Sequence, residues 1–446
     1  MNKFLLVGNG AREHSVAEAV CRSQNVKLFA YMSAKNPGIA KLCKESGGEF
    51  EIGKIENGEE IVKWAKEKNI ELAFPSPDAV IAAGVADVLE NVGIEVCAPV
   101  KAAARVEWDK NYLRKLMKEN DIEGRVEYKH FENAKEIDEY IEKLGEVAIK
   151  PVGLTGGKGV KVMGAQLENI NEAKKYAKDV IVNSIGGGGG VIVEEKLVGE
   201  EFTLMAFCDG KNIAGMPMVQ DHKKAYEGDK GENTGGMGSY SGSGKVLPFL
   251  QQKDYEEGIG IMKKIMDVMR EKEGVRYKGV MYGQFMAGKE GLKVVEINAR
   301  LGDPEAMNVL PILKTHLIEI FQKIAQGKLG EMEIQWEEKA TVVKYLVPDG
   351  YPQDSVEASV IIIDEEKLKE AKAEMYYASV NEKEGKIYTG KSRSIAMLGK
   401  ADTIEYAQKI AEDGCAAVSG PVWHRKDIGT QELVGKREEH MKQLRG

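Results

Sequence analysis

Apolar residues alternate between short continuous runs and helical spacing along the first hundred positions. KFLLV, residues 3–7, is a continuous run that reads as a buried strand. GNG follows, then AREHSVAEAVCRS, in which Val16, Ala19 and Val20 share one helical face. VKLFAYMS reads as the next strand, GEEIVKWAKEKNI as a helix and ELAFPS as a strand. AVIAAGVADVLENVG reads as one helix, and IEVCAP as a strand. Strands alternating with helices predict an α/β fold with a parallel sheet, ending near residue 100.

The pattern then changes. Residues 101–120 read as one helical segment, and EYIEKLGEVAIKPVGLTGGKGVKV as a helix and two strands around a Gly-rich loop. ENINEAKKYAKDVIVNS is helical, and the GGGGG of residues 186–190 is expected to be a hinge or an open loop. GVIVEEKLVGEEFTLMAFCDG reads as strand, turn, strand. KGVMYGQFMAG and LKVVEINARLG are two strands joined at Lys289 and Glu290, and VLPILKTHLIEIFQKIAQG is a helix. From about residue 338 short strands, ATVVKYLVPDG and SVIIID, and a last helix near TIEYAQKIAEDG predict a separate C-terminal domain.

Composition narrows the classes. With 446 residues, roughly three domains are expected. The net charge of −8 argues against a protein that coats nucleic acid. Five scattered cysteines without a CxxC pair suit a reducing compartment, so the expected location is the cytoplasm. Neither a signal peptide nor a membrane span is expected.

Chemistry concentrates in a few stretches. In AIKPVGLTGGKGVKV, Gly157-Lys158 is followed by Gly159, so the hydroxyl that a P-loop places on magnesium is missing. The surrounding strands suggest instead a hairpin loop that closes over phosphates with its N–H groups. In VVEINARLGDPE, Glu296 and Asn298 fall on one strand face, a carboxylate and an amide oxygen that suit a hard cation. Gln284 would face Glu296 if the connecting turn has three or five residues, whereas an even-length turn would pair it with Val295. Arg300, Asp303 and Glu305 follow directly. The edge of VIVEEKL is expected to hydrogen-bond an adenine, and Glu201 to reach ribose hydroxyls. Asp221, His222, Lys223 and Lys224 cluster before the turn Asn233 to Gly238, with His222 expected to be solvated. VGNGAREH has Glu13 where a dinucleotide fingerprint has its third glycine, which disfavours NAD, but a helix start with Arg12 suits a phosphate.

Lys110 and Lys150, the Gly-rich loop, E-E-x-L with Glu201, and E-x-N on a strand together resemble the ATP-grasp superfamily. GNGAREH, KAAARVEWDK, QDHKKAYEGDKGENTGGMGSYS, EINARLGDPEAM and HRKDIG resemble one family within it, the phosphoribosylamine–glycine ligases, over about residues 4–429. The resemblance implies ligation of glycine to 5-phosphoribosylamine through a glycyl phosphate, with ATP consumed, in purine synthesis. It implies a Rossmann-like domain at 1–101 that binds the substrate phosphate, and an ATP-grasp domain at 102–335 with a mobile lid at about 125–190. A small α+β domain is implied at 336–446. It implies ATP contacts at Lys110, Lys150, Gly156, Gly157, Lys158, Glu194, Glu195, Leu197 and Glu201, and Mg²⁺ or Mn²⁺ at Gln284, Glu296 and Asn298. Gly10, Ala11, Arg12 and Glu13 are implied for the 5′-phosphate, and Asp221, Asn233, Gly235, Gly236, Asp303 and Glu305 for the ribosylamine or glycine. Arg300, with the glycine carboxylate or the acyl phosphate, and Asp221 are the expected catalytic residues. The expected partners are these small molecules alone, in a monomer or small homo-oligomer. The chain departs from the family's usual pattern with Asp78 in PSPDAV, Lys224 after DHK, and CAPVKAAA. Another ATP-grasp ligase, a non-catalytic nucleotide-binding regulator and a Rossmann oxidoreductase that binds NAD are the rival readings.

Overall fold

The computed structural model describes residues 2–153 and 159–446. The FLLV run is fully buried and forms the centre of strand β1 (Asn2–Val7). It lies between β2 (Val26–Met32) and β4 (Leu72–Pro75), with Leu5 opposite both Phe29 and Ala73. With β3 (Phe50–Ile52) and β5 (Glu95–Val96) this makes a parallel sheet in the order β3-β2-β1-β4-β5. The order reverses between β1 and β4, so a crevice opens past their carboxyl ends, where such sheets bind ligands. The first helix, Ala11–Cys21, starts at that crevice.

Three expected helices are broken, each at an identifiable residue. The segment after β4 forms Asp78–Ala82 and Val85–Glu90, parted at Gly84 with φ +80°. Residues 101–120 form Arg105–Trp108 and Lys110–Glu119, because Asp109 leaves helical geometry to accept from the Tyr112 N–H at 2.9 Å. The stretch around residue 310 forms Ala306–Val309, a 3₁₀ turn Leu310–Ile312 and the helix Leu317–Ala325, with Pro311 lacking the N–H that a continuous helix needs.

Two further sheets form the centre. One is antiparallel, ordered β6 (Tyr128–Phe131), β9 (Val191–Glu195), β7 (Val147–Pro151), β8 (Lys161–Val162). The helices Ile137–Leu144 and Ile170–Val182 share its apolar core. The other is ordered β11 (Ile213–Gly215), β10 (Glu200–Asp209), β16 (Lys278–Gly288), β17 (Gly291–Asn298). The expected strand–turn–strand at residues 191–209 is therefore no hairpin: β9 and β10 belong to different sheets, and Lys196–Gly199 is the hinge between them.

The C-terminal part shares a sheet with the central part. Its long strand β18 (Ala340–Pro348) pairs with β15 (Gly238–Ser241), which in turn pairs with β12 (Gln220–Asp221). The sheet runs on through Ile395–Ala401 to Glu374–Tyr377. The helix Ile404–Cys415, expected to be the last, is followed by Gln431–Arg445. That final helix buries only Leu433 and Met441, so its sequence has little apolar periodicity to announce it. Among the described residues no helix is long and apolar enough to cross a membrane.

Candidate active site

A cavity of about 700 Å³ lies where these sheets meet, reached by Arg12 from the first helix, Lys150 from β7, Glu296 from β17 and Arg393 from the C-terminal part. Its floor is the hairpin β16–β17. The connecting turn holds two residues, an even number, which in a regular ladder would set Gln284 against Val295. A β-bulge between Gln284 and Phe285 corrects the register, so Gln284 faces Glu296 and Tyr282 faces Asn298. Val295, left without a partner in the register, gives its carbonyl to Lys150 Nζ at 3.1 Å and Arg114 Nη2 at 2.8 Å.

The donor set on this floor is made of oxygens. Gln284 Oε1 is buried and accepts from no donor among the described residues, while its Nε2 donates to Glu201. Asn298 Nδ2 donates to Glu296 Oε1 at 3.2 Å. Burial alone would raise the Glu296 carboxyl, but Lys223, Asn298, Lys110 and Lys150 hold it below the usual range. An ionised carboxylate beside an orphaned amide oxygen fits a hard divalent cation.

Cations line the next wall. Glu194 is buried and receives Arg114 at 2.6 and 3.1 Å and Lys150 Nζ at 2.7 Å. Against the cost of burial, Arg114 and Lys150 bring its carboxyl down to about 2. The Glu194 side chain is thus spent on holding Lys150. Glu195 turns aside to accept from the Glu127 N–H at 3.0 Å, and Leu197 lines the cavity. Lys110 starts its helix and donates to Gly153 O at 2.9 Å; burial, more than any neighbour, lowers its pKa. Glu201 pairs with Lys223 at 2.9 Å. Gly156, Gly157 and Lys158 lie outside the described residues.

At the other end, the Gly10–Glu13 turn is closed by its own carboxylate. Glu13 accepts from the Gly10 N–H at 2.7 Å, from Arg12 Nε at 2.7 Å and from Ser76 Oγ at 2.6 Å. A side chain on Gly8 (φ +127°) would collide with Glu13 and Pro77 at 2.8–2.9 Å, so this turn requires glycine. Ala11 is fully buried, and Arg12 extends into the cavity with Nη1 on Leu301 O at 3.1 Å. Arg300 pairs through Nε with Glu107 at 3.3 Å, and Glu107 in turn accepts from the Ala299 N–H at 2.7 Å. Asp78 also faces this cavity.

Asp221 stands at this end of the cavity. Its Oδ1 is buried without a donor among the described residues, and burial together with Glu305 pushes its carboxyl well up. Gly236 (φ +108°) lets the backbone pass Asp221, since a Cβ there would stand 2.5 Å from Oδ1. Glu305 accepts from Tyr282 at 2.8 Å and Thr203 at 2.9 Å, and Asn233 lines the cavity.

Several residues of the site carry no obvious mark in the sequence. Arg393 donates to the carbonyls of Gly235 at 2.6 Å, Gly236 at 3.1 Å and Asp303 at 3.0 Å, pairs with Asp303 at 3.3 Å and stacks on Tyr345. Arg114 was legible in principle: four residues after Lys110, it shares that helix face. His222 is not solvated as expected. It is buried, stacks on Tyr240 at 5.8 Å, and burial lowers its pKa despite Asp229. Lys224 donates to Gly231 O at 3.1 Å within its own hairpin.

Family models for phosphoribosylglycinamide synthetase match the chain in three parts: the N domain at residues 2–107, the ATP-grasp domain at 108–306 and the C domain at 341–431. The chain is 48% identical to a phosphoribosylamine–glycine ligase of Methanosarcina barkeri over 100% of both chains. It is 46% identical to one of Methanocaldococcus jannaschii, over 99% of this chain and 100% of the other. Among solved structures, the phosphoribosylamine–glycine ligase of Thermotoga maritima has a TM-score of 0.79 at 28% identity, covering 95% of this chain and 99% of that one. A Campylobacter jejuni biotin carboxylase shares the fold at TM-score 0.72 and 13% identity, over 99% of this chain and 98% of the other.

The Glu194 triad predicts an acid dependence of stability. Its folded pKa lies below the ordinary carboxylate value, so its contribution is complete above about pH 4.5 and is lost as the pH falls toward 2. Denaturant titrations of wild type and Glu194→Gln from pH 6 to 2.5 should show the wild-type advantage shrinking over that window, by on the order of 3 kcal/mol in total. A pH-independent difference would refute the assignment.

Proposed function

The chain belongs to the phosphoribosylglycinamide synthetase family, and from that premise we propose how its cavity performs the family's reaction. It ligates glycine to 5-phosphoribosylamine in purine biosynthesis, with a glycyl phosphate intermediate. A glycine carboxylate oxygen attacks the γ-phosphorus of ATP and ADP leaves. The ribosylamine nitrogen then attacks the acyl carbon and loses a proton, phosphate leaves, and glycinamide ribonucleotide remains.

The observation that carries the residue assignment is the bulged hairpin, which brings Gln284, Glu296 and Asn298 to one floor under Lys150 and Lys223. Gln284, Glu296 and Asn298 hold Mg²⁺ or Mn²⁺; when bound, the cation offsets charge on the transferring phosphoryl group. Lys110 and Lys150, with Gly156, Gly157 and Lys158 of the lid, neutralise the phosphates. The adenine lies against Glu194–Leu197, reading the backbone of Glu195 and Leu197, since the Glu194 carboxylate is already committed. Glu201 takes the ribose. Arg300, aimed by Glu107, binds the glycine carboxylate or the acyl phosphate. Asp221, whose Oδ1 has no donor among the described residues, accepts from the amine, and Asp303 and Glu305 shape the same end with Asn233 and the Gly235–Gly236 backbone. Arg12 binds the 5′-phosphate, with Gly10, Ala11 and Glu13 holding it in place.

This reaction is one of orientation and water exclusion more than of a strong base. We assign the protein to the cytoplasm, as a monomer or small homo-oligomer without nucleic-acid partners. We divide it at about residues 101 and 335, with the lid at about 125–190.

The deciding experiment is ADP release from ATP and Mg²⁺ with glycine, with and without 5-phosphoribosylamine made in situ from ribose 5-phosphate and ammonia. Release that requires both substrates is expected; release with a different amine or carboxylate, and none with this pair, would overturn the substrate assignment. Glu296→Gln should lower turnover by at least about 100-fold, more than the loss of an outer-sphere partner costs. Near-normal turnover would remove it from the metal set. Arg12→Ala should raise the apparent KM for 5-phosphoribosylamine about tenfold or more and leave that for ATP unchanged. An unaltered phosphoribosylamine dependence would refute the phosphate role.

A further inference from the structure

The final helix, Gln431–Arg445, lies almost wholly beyond the residues matched by the C-domain model. Having almost no apolar face, it is fastened by charge. Arg445 grips Asp254 at 2.8 and 2.9 Å and donates Nε to Gly288 O at 3.0 Å. Nearer the cavity, Arg437 pairs with Glu200 at 3.3 Å and also donates to Asp229, while His440 Nδ1 meets the other Glu200 oxygen. Arg437 lines the cavity.

Its two acidic partners stand on different walls. Glu200 is buried at the start of β10, directly after the Lys196–Gly199 hinge and directly before Glu201. Asp229 receives Arg425 at 3.2 Å and lies 3.7 Å from His222 Nδ1, next to Lys223. One guanidinium from the end of the chain thus ties the nucleotide hinge to the segment that carries Asp221 and Lys223.

We infer that Arg437 is a positioning residue for the bound nucleotide. It compensates Glu200 and so fixes the start of β10. Without Arg437, Glu200 keeps, of these two contacts, only that to His440; Glu200 and Glu201 are neighbours, and a Glu200 turning toward water carries Glu201 with it, together with the grip of Glu201 on Lys223 and Gln284. The inference rests on the nucleotide assignment above, and it extends the site to a helix that the reaction's own residues do not require.

The test compares Arg437→Ala, Arg437→Lys and Arg445→Ala in the full chain, by direct binding of ADP with Mg²⁺, by steady-state kinetics and by thermal unfolding. Arg437→Ala should weaken ADP binding and raise the KM for ATP about tenfold while leaving the KM for glycine within about twofold. Arg437→Lys, which keeps one charge but loses the fork, should recover part of that loss. Arg445→Ala should lower the unfolding midpoint and leave ADP affinity unchanged. Wild-type ADP affinity in Arg437→Ala, an equal loss in Arg445→Ala, or a parallel rise of both KM values would overturn the inference. ADP binding is read without turnover, so a wild-type chain that binds ADP but ligates nothing counts against the reaction alone, whereas one that binds no ADP overturns both.

Discussion

Four elements of the chain converge on one buried carboxylate. Glu194 on β9 receives Arg114 from the helix Lys110–Glu119 and Lys150 from β7, and both cations also take the carbonyl that the bulge at Val295 frees on β17. Two cations in a dry wall would repel each other; one ionised carboxylate between them offsets that repulsion. A site proposed to receive a triphosphate needs its positive groups in place before the ligand arrives, and this triad holds Lys150, which lines the cavity, at a fixed position. Losing Glu194 would strand two cations, whereas losing either cation would leave the other still paired. The dependence therefore runs through the carboxylate.

The arrangement explains what the sequence could and could not disclose. The N-terminal sheet was legible because each of its long strands is a continuous apolar run, and the alternation with helices leaves few topologies. Helix breaks were not, because Asp109 and Gly84 act through backbone geometry that apolar spacing does not record. Of the site, the residues on one short strand, Glu296 and Asn298, were readable from the period of two. Gln284 was readable only as a condition on turn length, and that condition failed; a bulge, which leaves no mark in the pattern, restored the facing pair. Residues that enter from far along the chain, above all Arg393 and Arg437, have no local signature, since what makes them part of the site is the fold alone.

Charge also explains which polar residues could be misjudged. Glu194, Glu13 and Lys224 look like ligand-facing groups in a motif, yet their side chains are committed to Arg114 and Lys150, to the Gly10 turn, and to Gly231. Asp221 and Gln284 are the reverse: each keeps a buried oxygen with no donor among the described residues. Burying an unpaired acceptor costs about 1–3 kcal/mol, and these two, unlike the buried Asp138 and Asp267 oxygens elsewhere, line the cavity, where a ligand can supply the missing partner.

The shared sheet also bears on how the protein is made. On the ribosome, β15 emerges with residues 238–241, but its partner β18 begins at residue 340, about 100 residues later. At typical rates of synthesis that interval is roughly 5–20 s. Throughout it, one edge of β15 stands open, a row of unpaired N–H and C=O groups of the kind that recruits other chains. The nascent chain must pass that interval without its closing strand. Only when the C-terminal part arrives do Asp221 and the Gly235–Gly236 turn acquire the wall that gives the cavity its shape, so the site assembles after β18 has been made.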